Sequence, residues 1–290
     1  MDNQTELEFI TRYKSGERDF RQVSLPGLSL PKVELPDLDW RGANLMEADL
    51  SHANLAGVNF REARLHKANF SNANLTSSNF IGADLSGANL TGSQLSHASL
   101  RGANLAGACL QYAELVGSNF SEANLSQADL SGAKAMGAIF SRVKGMKIMA
   151  VGVDFAQANL TSAVFIEAYV HHCKFVNAIL TGMSLENAQG MQVDFTGAVL
   201  LGSNLRRANL QGANLRRANM NWCSLREANL GDAKLFRTQL NWSNLAGANL
   251  TNALLIDANL RRANLSGTIM DGVNWSGATL PDGSLGELPE

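Results

Sequence analysis

Side chains capable of chemistry are few in this chain. His171-His172-Cys173 is the one local cluster of metal-ligating residue types. Structural zinc needs four converging ligands. Two adjacent histidines facing out beside a cysteine facing in make poor geometry, so no metal is expected. Serines are many, but most, such as Ser51, Ser71 and Ser121, occupy turn positions with no histidine to activate a hydroxyl. No glycine-rich phosphate loop is present. The chain is therefore expected to be no enzyme and to carry no cofactor.

A second group of residues points to recognition. Between 201 and 265 there are nine Arg/Lys and three acids, Glu227, Asp232 and Asp257. Counted in twenties, Arg206, Arg207 and Arg226 share one face. The preceding face holds Trp222, Trp242, Arg261 and Arg262, and the one before that Arg216, Arg217, Phe236 and Arg237. Exposed tryptophans stacked beside arginines suit an interface hot spot. These eleven residues are the candidate partner-binding set. The competing reading is that the arginines coat and solubilise the surface while the tryptophans stabilise the stacking of the chain on itself.

What must position these residues is a period of five. From Phe20 to Leu280 every fifth residue forms one column of 53 positions. Leu, Phe, Met or Trp fills 48 of them, and the phase never slips. The residue two before is usually Ala, as in Ala43, Ala48, Ala103 and Ala213, and the residue just before is often Asn or Asp. Five matches neither the 3.6 of a helix nor the 2 of a strand. The column returns to the inside only if the chain turns a corner every five residues. Four corners then close a coil of twenty, and stacked coils pair ~4.8 Å apart, as strands do. A fixed short repeat of this kind is a solenoid. The small residue has a steric reason, since a second large inward side chain per corner would overpack the coil at ~1–3 kcal/mol per site.

The repeat Ala-(Asp/Asn)-Leu-X-X closely resembles the pentapeptide-repeat family over roughly Arg18 to Leu285. The resemblance implies an all-β solenoid, a right-handed quadrilateral β-helix, here of about 13 coils and roughly 60 Å at strand spacing. The expected organisation is a lead-in with a short capping α-helix over 1–19, a single β-helical domain over 20–285, and a tail over 286–290. Within the lead-in, Thr5-Glu6-Leu7-Glu8 fits a capping box with Thr5 as N-cap. A helix from about Glu6 to Lys14 follows, with Leu7, Phe9, Ile10 and Tyr13 as its apolar residues and Gly16 as its stop. In the first coil Val23, Leu28, Val33 and Leu38 replace Ala, and Pro26, Pro31 and Pro36 stiffen the turns. The middle, about 133–200, is irregular: Ala135, Gly145, Ala150, Val170 and Gly190 break the column. Ala150, Val170 and Gly190 stack on one face and Phe155, Phe175 and Phe195 on the next, which reads as volume compensation and a packing dislocation near Lys144–Val153.

Composition bounds the rest. Twenty-four basic and 26 acidic residues leave a net charge of −2, so the whole chain is no polyion. No apolar run reaches the ~20 residues a membrane-spanning helix requires. Met1-Asp2-Asn3-Gln4 shows no signal-peptide pattern. Three cysteines, Cys109, Cys173 and Cys223, read as reduced thiols. A cytoplasmic protein with no membrane or nucleic-acid partner is expected.

By resemblance, relatives abound in cyanobacteria, where the segment from Phe9 to Phe20 looks like the start of such proteins, and some act in regulation through protein contacts, including heterocyst differentiation. A protein-interaction scaffold using the Arg/Trp set is the leading expectation. Other pentapeptide-repeat proteins bind DNA gyrase as acidic DNA mimics that dimerise through a C-terminal helix; this chain is basic in that half and lacks the helix. Direct nucleic-acid binding by the arginines is the third reading.

Overall fold

The computed structural model describes residues 3–286, which fall into two compact units divided between Lys144 and Gly145. The boundary lies where the central column loses its consensus residues.

In both units one five-residue segment repeats. Its first two residues form a turn and its third faces in. The fourth bridges to neighbouring coils and the fifth faces in. Around Trp40 the Ala43 amide donates to the Trp40 carbonyl at 3.1 Å, and Gly42 between them has φ 65°. A single positive φ at the third turn residue is type II geometry. Asn44 then forms parallel bridges with Ser24 and with Arg64, each twenty residues away. That register recurs through each unit and makes the coil twenty residues long.

The residue before the central one has a double task. In unit one, Asn69 Oδ1 accepts the Ser71 amide at 3.1 Å, and its Nδ2 donates to Asp49 Oδ1, one coil earlier, at 2.9 Å. Asn89 repeats the link to Asn69 at 3.2 Å. Each such side chain closes its own turn as an Asx turn and ties the next coil down. This is why Asn and Asp precede the central residue so often.

The central residues from Leu45 to Leu130 are all fully buried, Leu85 and Leu105 among them. Aromatic rings stack one per coil: Phe60 on Phe80 at 4.8 Å and Phe120 on Phe140 at 4.9 Å in unit one, Phe155–Phe175–Phe195 at 5.0 and 5.1 Å in unit two. The vacancy at Gly190 is filled from its own column. A Cβ there would meet Val170 Cγ2 at 3.1 Å and Leu210 Cδ2 at 3.2 Å. The compensation proposed from the neighbouring phenylalanines is not what crowds this glycine.

One helix, α1 (Asn3–Lys14), occurs among the described residues. It starts earlier than the capping-box pattern predicts, so Thr5 lies in its first turn and not at its cap. Gly16 follows its end with φ 100°. Phe9 is its buried residue, 4.7 Å from Phe20 and 5.6 Å from Trp40, while Leu7 is exposed. Residues two apart on a helix face opposite ways, so Leu7 and Phe9 cannot share one contact. Glu6 Oε1 accepts the Ser29 amide at 3.1 Å. In the first coil Leu28 and Leu38 are buried, but Val23 and Val33 are only half-buried.

At the C-terminal end of unit two, Gly283 (φ 93°) turns the chain back and Leu285 pairs antiparallel with Thr279. The tail expected over 286–290 lies, beyond Gly286, outside the described residues.

Candidate partner-binding surface

All eleven candidate residues lie in unit two, on consecutive corners of its coils. Trp222 and Trp242 occupy the same turn position one coil apart. Their ring centroids are 5.0 Å apart with the planes 5° from parallel. The Arg262 guanidinium continues the ladder, 4.5 Å from the Trp242 ring. Trp222 is 59% exposed and Trp242 46%, so the rings face solvent. Arg261, next to Arg262, is exposed as well.

The backbone under this ladder is left-handed: φ is 62° at Trp222, 59° at Trp242 and 61° at Arg262. Glycine adopts this region freely, whereas a Cβ costs ~1–2 kcal/mol there. Gly202, one coil before Trp222 in the same position, shows the unencumbered choice, with no atom within 4 Å of a would-be Cβ. The same left-handed φ recurs at this turn position at many non-glycine residues, Tyr112 and His172 among them, so the fold tolerates a side chain here at that modest cost.

The preceding corner carries Arg216, Arg217, Phe236 and Arg237. The Arg216 guanidinium lies over the Phe236 ring at 4.9 Å. Arg237 Nε faces Asp257 Oδ2, one coil on, at 3.3 Å. Arg217 has no carboxylate within ion-pair distance among the described residues. Together with Thr196 these side chains line a cleft of about 440 Å³. The sequence points to Asp257 only as one of three acids and to Thr196 not at all, although both lie in the same twenty-residue register as the arginines.

The following corner behaves differently. Arg206, Arg207 and Arg226 gather around one carboxylate, Glu227, with Arg207 Nε 2.6 Å from Glu227 Oε2, Arg226 Nε 3.4 Å from Oε1 and Arg206 at 4.0 Å. Arg206 also faces Glu186 at 3.7 Å. The Arg207 hydrogen bond holds the Glu227 carboxyl below the usual carboxylate range. These three arginines are thus partly neutralised, and the unbalanced positive charge belongs to the cleft corner and to Arg261 and Arg262.

Elsewhere, burial pushes the thiols of Cys173 and Cys223 up to about 12. His171 is lowered by burial and by His172. Among the described residues no His/Cys/Asp/Glu group is placed to hold a metal, and no helix is long and apolar enough to cross a membrane.

Comparison with known families matches pentapeptide repeats in successive stretches from residues 43–80 through 110–142 and 151–182 to 258–285, covering most of the sequence. The chain belongs to the pentapeptide-repeat family. The coils are accordingly those of a right-handed quadrilateral β-helix. Among solved pentapeptide-repeat structures the chain is similar to HetL, described as involved in heterocyst differentiation regulation in the cyanobacterium Nostoc sp. strain PCC 7120. The identity is 33% over 96% of this chain and 98% of HetL, with a TM-score of 0.38. It is similar to Rfr23 from the cyanobacterium Cyanothece 51142 at 27% identity over 44% of this chain and 92% of that one, TM-score 0.26. A trypsin-treated form of QnrB1, a plasmid-mediated fluoroquinolone resistance protein, matches at 17% identity over 64% and 88%, TM-score 0.43. No curated protein sequence matches the chain.

Proposed function

We propose that this pentapeptide-repeat protein is a non-enzymatic interaction scaffold that docks a regulatory protein through the second unit. The docking surface is the Trp222–Trp242–Arg262 ladder together with the arginine cleft beside it. The carrying observation is the pair of exposed, stacked tryptophans on left-handed backbone. The rings face solvent and fill none of the buried columns, so the core does not call for them. Large aromatic and arginine side chains are what concentrated binding energy requires. In the same reading α1 closes the first coil, with Phe9 seated against Phe20 and Trp40. HetL, to which the chain is 33% identical, is described as involved in heterocyst differentiation regulation, which accords with a regulatory partner. DNA mimicry calls for an acidic surface, and residues 201–265 carry nine basic against three acidic residues.

Affinity purification from the native host with wild-type chain and with Trp222→Gly/Trp242→Gly tests the proposal. A partner recovered by the wild type and lost from the variant supports it. Equal recovery by both rejects the surface.

A further inference from the structure

The two corners form rails along one side of the coils in unit two. Arg217 and Arg237 stand on one rail, and Trp222 and Trp242 on the other. Between them runs a ladder of half-buried polar residues, Asn219 bridged to Gln239 and Gln239 to Asn259. The rungs repeat at the coil spacing, which the tryptophan rings record as 5.0 Å.

That spacing selects a secondary structure. Side chains at i and i+4 of an α-helix lie about 5–6 Å apart, and seven residues advance about 10.5 Å. Two rungs span about 10 Å at strand spacing, so a helix laid along the direction of coil stacking stays in step. Alternate residues of an extended peptide advance about 6.6–6.8 Å and fall out of step by the third rung.

Charge selects the chemistry. Among the described residues neither Arg216 nor Arg217 has a carboxylate within ion-pair distance, Arg216 lies over the Phe236 ring, and Arg237 pairs with Asp257. The cleft therefore offers planar guanidinium forks over an apolar floor, an arrangement suited to carboxylates. The tryptophan rail offers apolar surface. On the third rung the charges exchange sides: Asp257 follows Arg237, and Arg262 follows Trp242.

We infer that the strip between the rails receives an acidic amphipathic helix of a partner protein, with carboxylates one turn apart on Arg217 and Arg237 and its apolar stripe against Trp222 and Trp242. The exchange at the third rung fixes its register, because a slip of one rung would set a carboxylate against Asp257. The inference rests on the docking proposal above and adds the shape and charge of the bound element.

The test is a phage-displayed library of helix-stabilised peptides with one randomised face, selected on the full chain and counter-selected on Arg217→Ala/Arg237→Ala. A linear library and single-stranded oligonucleotides serve as rival probes. Enriched helical peptides should carry Asp or Glu at i and i+4 beside an aliphatic or aromatic stripe. A synthetic representative should bind the arginine variant at least about ten-fold more weakly, and should weaken with salt as screened charge pairs do. Enrichment of non-acidic or extended peptides, tighter binding of the oligonucleotides, association of the chain with itself through this surface, or no enrichment at all would overturn the inference. Selected peptides that are not acidic helices, yet lose binding to Trp222→Gly/Trp242→Gly, would overturn the helix while leaving the docking surface standing. Peptides indifferent to both pairs would remove both.

Discussion

Trp222 and Trp242 stack 5.0 Å apart on backbone that is left-handed at both residues. The stack itself contributes ~0.5–1.5 kcal/mol beyond burial, and the left-handed Cβ costs ~1–2 kcal/mol at each site. These terms nearly cancel. Trp222→Gly is therefore expected to leave the melting temperature close to wild type. Trp222→Ala, which loses the stack and keeps the strain, should be less stable than Trp222→Gly by about 1 kcal/mol. Thermal or urea unfolding of the two variants checks the order. Alanine more stable than glycine would contradict the strain argument.

Gly190 tests the packing of the irregular columns. Its φ is not left-handed, so only space opposes a side chain. Val170 and Leu210 approach a Cβ to 3.1 and 3.2 Å, which leaves no room for a larger group without movement. Gly190→Leu should cost ~1–3 kcal/mol as overpacking. Stabilisation on urea denaturation would mean that the column is underfilled.

Trp40 is fully buried between Phe9 and Phe60, and its Nε1–H has no hydrogen-bond partner. An unsatisfied buried donor costs ~1–3 kcal/mol. Trp40→Phe removes that donor and keeps an aromatic ring in the stack, so its stability should fall within about 1 kcal/mol of wild type. Trp40→Ala should lose ~3–5 kcal/mol. Equal losses from the two would show that the indole N–H is satisfied in solution.

The first coils should be acid-sensitive. Hydrogen bonds from Arg21 hold the Asp19 carboxyl at about 2, and Arg41 lowers Asp39 in the same way. Depressed carboxylates stabilise the folded state above their unfolded value, near 3.9. That stabilisation is lost as pH falls through the folded value. The melting temperature should drop between about pH 4 and pH 2, and Arg21→Ala/Arg41→Ala should show a shallower drop across the same window. Parallel pH profiles would contradict the linkage.

Much of the coil architecture was legible because the column from Leu45 to Leu130 obeys one steric rule at each corner. The exposure of Trp222 and Trp242 and their stacking also followed from counting in twenties. The remainder depended on geometry that a linear count does not contain. Whether Leu7 or Phe9 faces the coil depends on the rotation of α1. Thr5 lies inside the helix because the helix begins at Asn3. Glu227 gathers Arg206, Arg207 and Arg226 because a side chain on one coil reaches the next, and a tally of charges over 201–265 cannot separate paired arginines from unpaired ones. The crowding at Gly190 comes from its own column, a contact between coils that sequence order hides.

The central claim is that Trp222 and Trp242 serve binding and not the fold. The most direct measurement is the dissociation constant of the recovered partner for wild type and for Trp222→Gly/Trp242→Gly, with melting temperatures taken on the same samples. The account predicts a loss of affinity of about ten-fold or more, as for hot-spot residues, at a nearly unchanged melting temperature. Unchanged affinity, or a large fall in melting temperature that accounts for the loss, would contradict it.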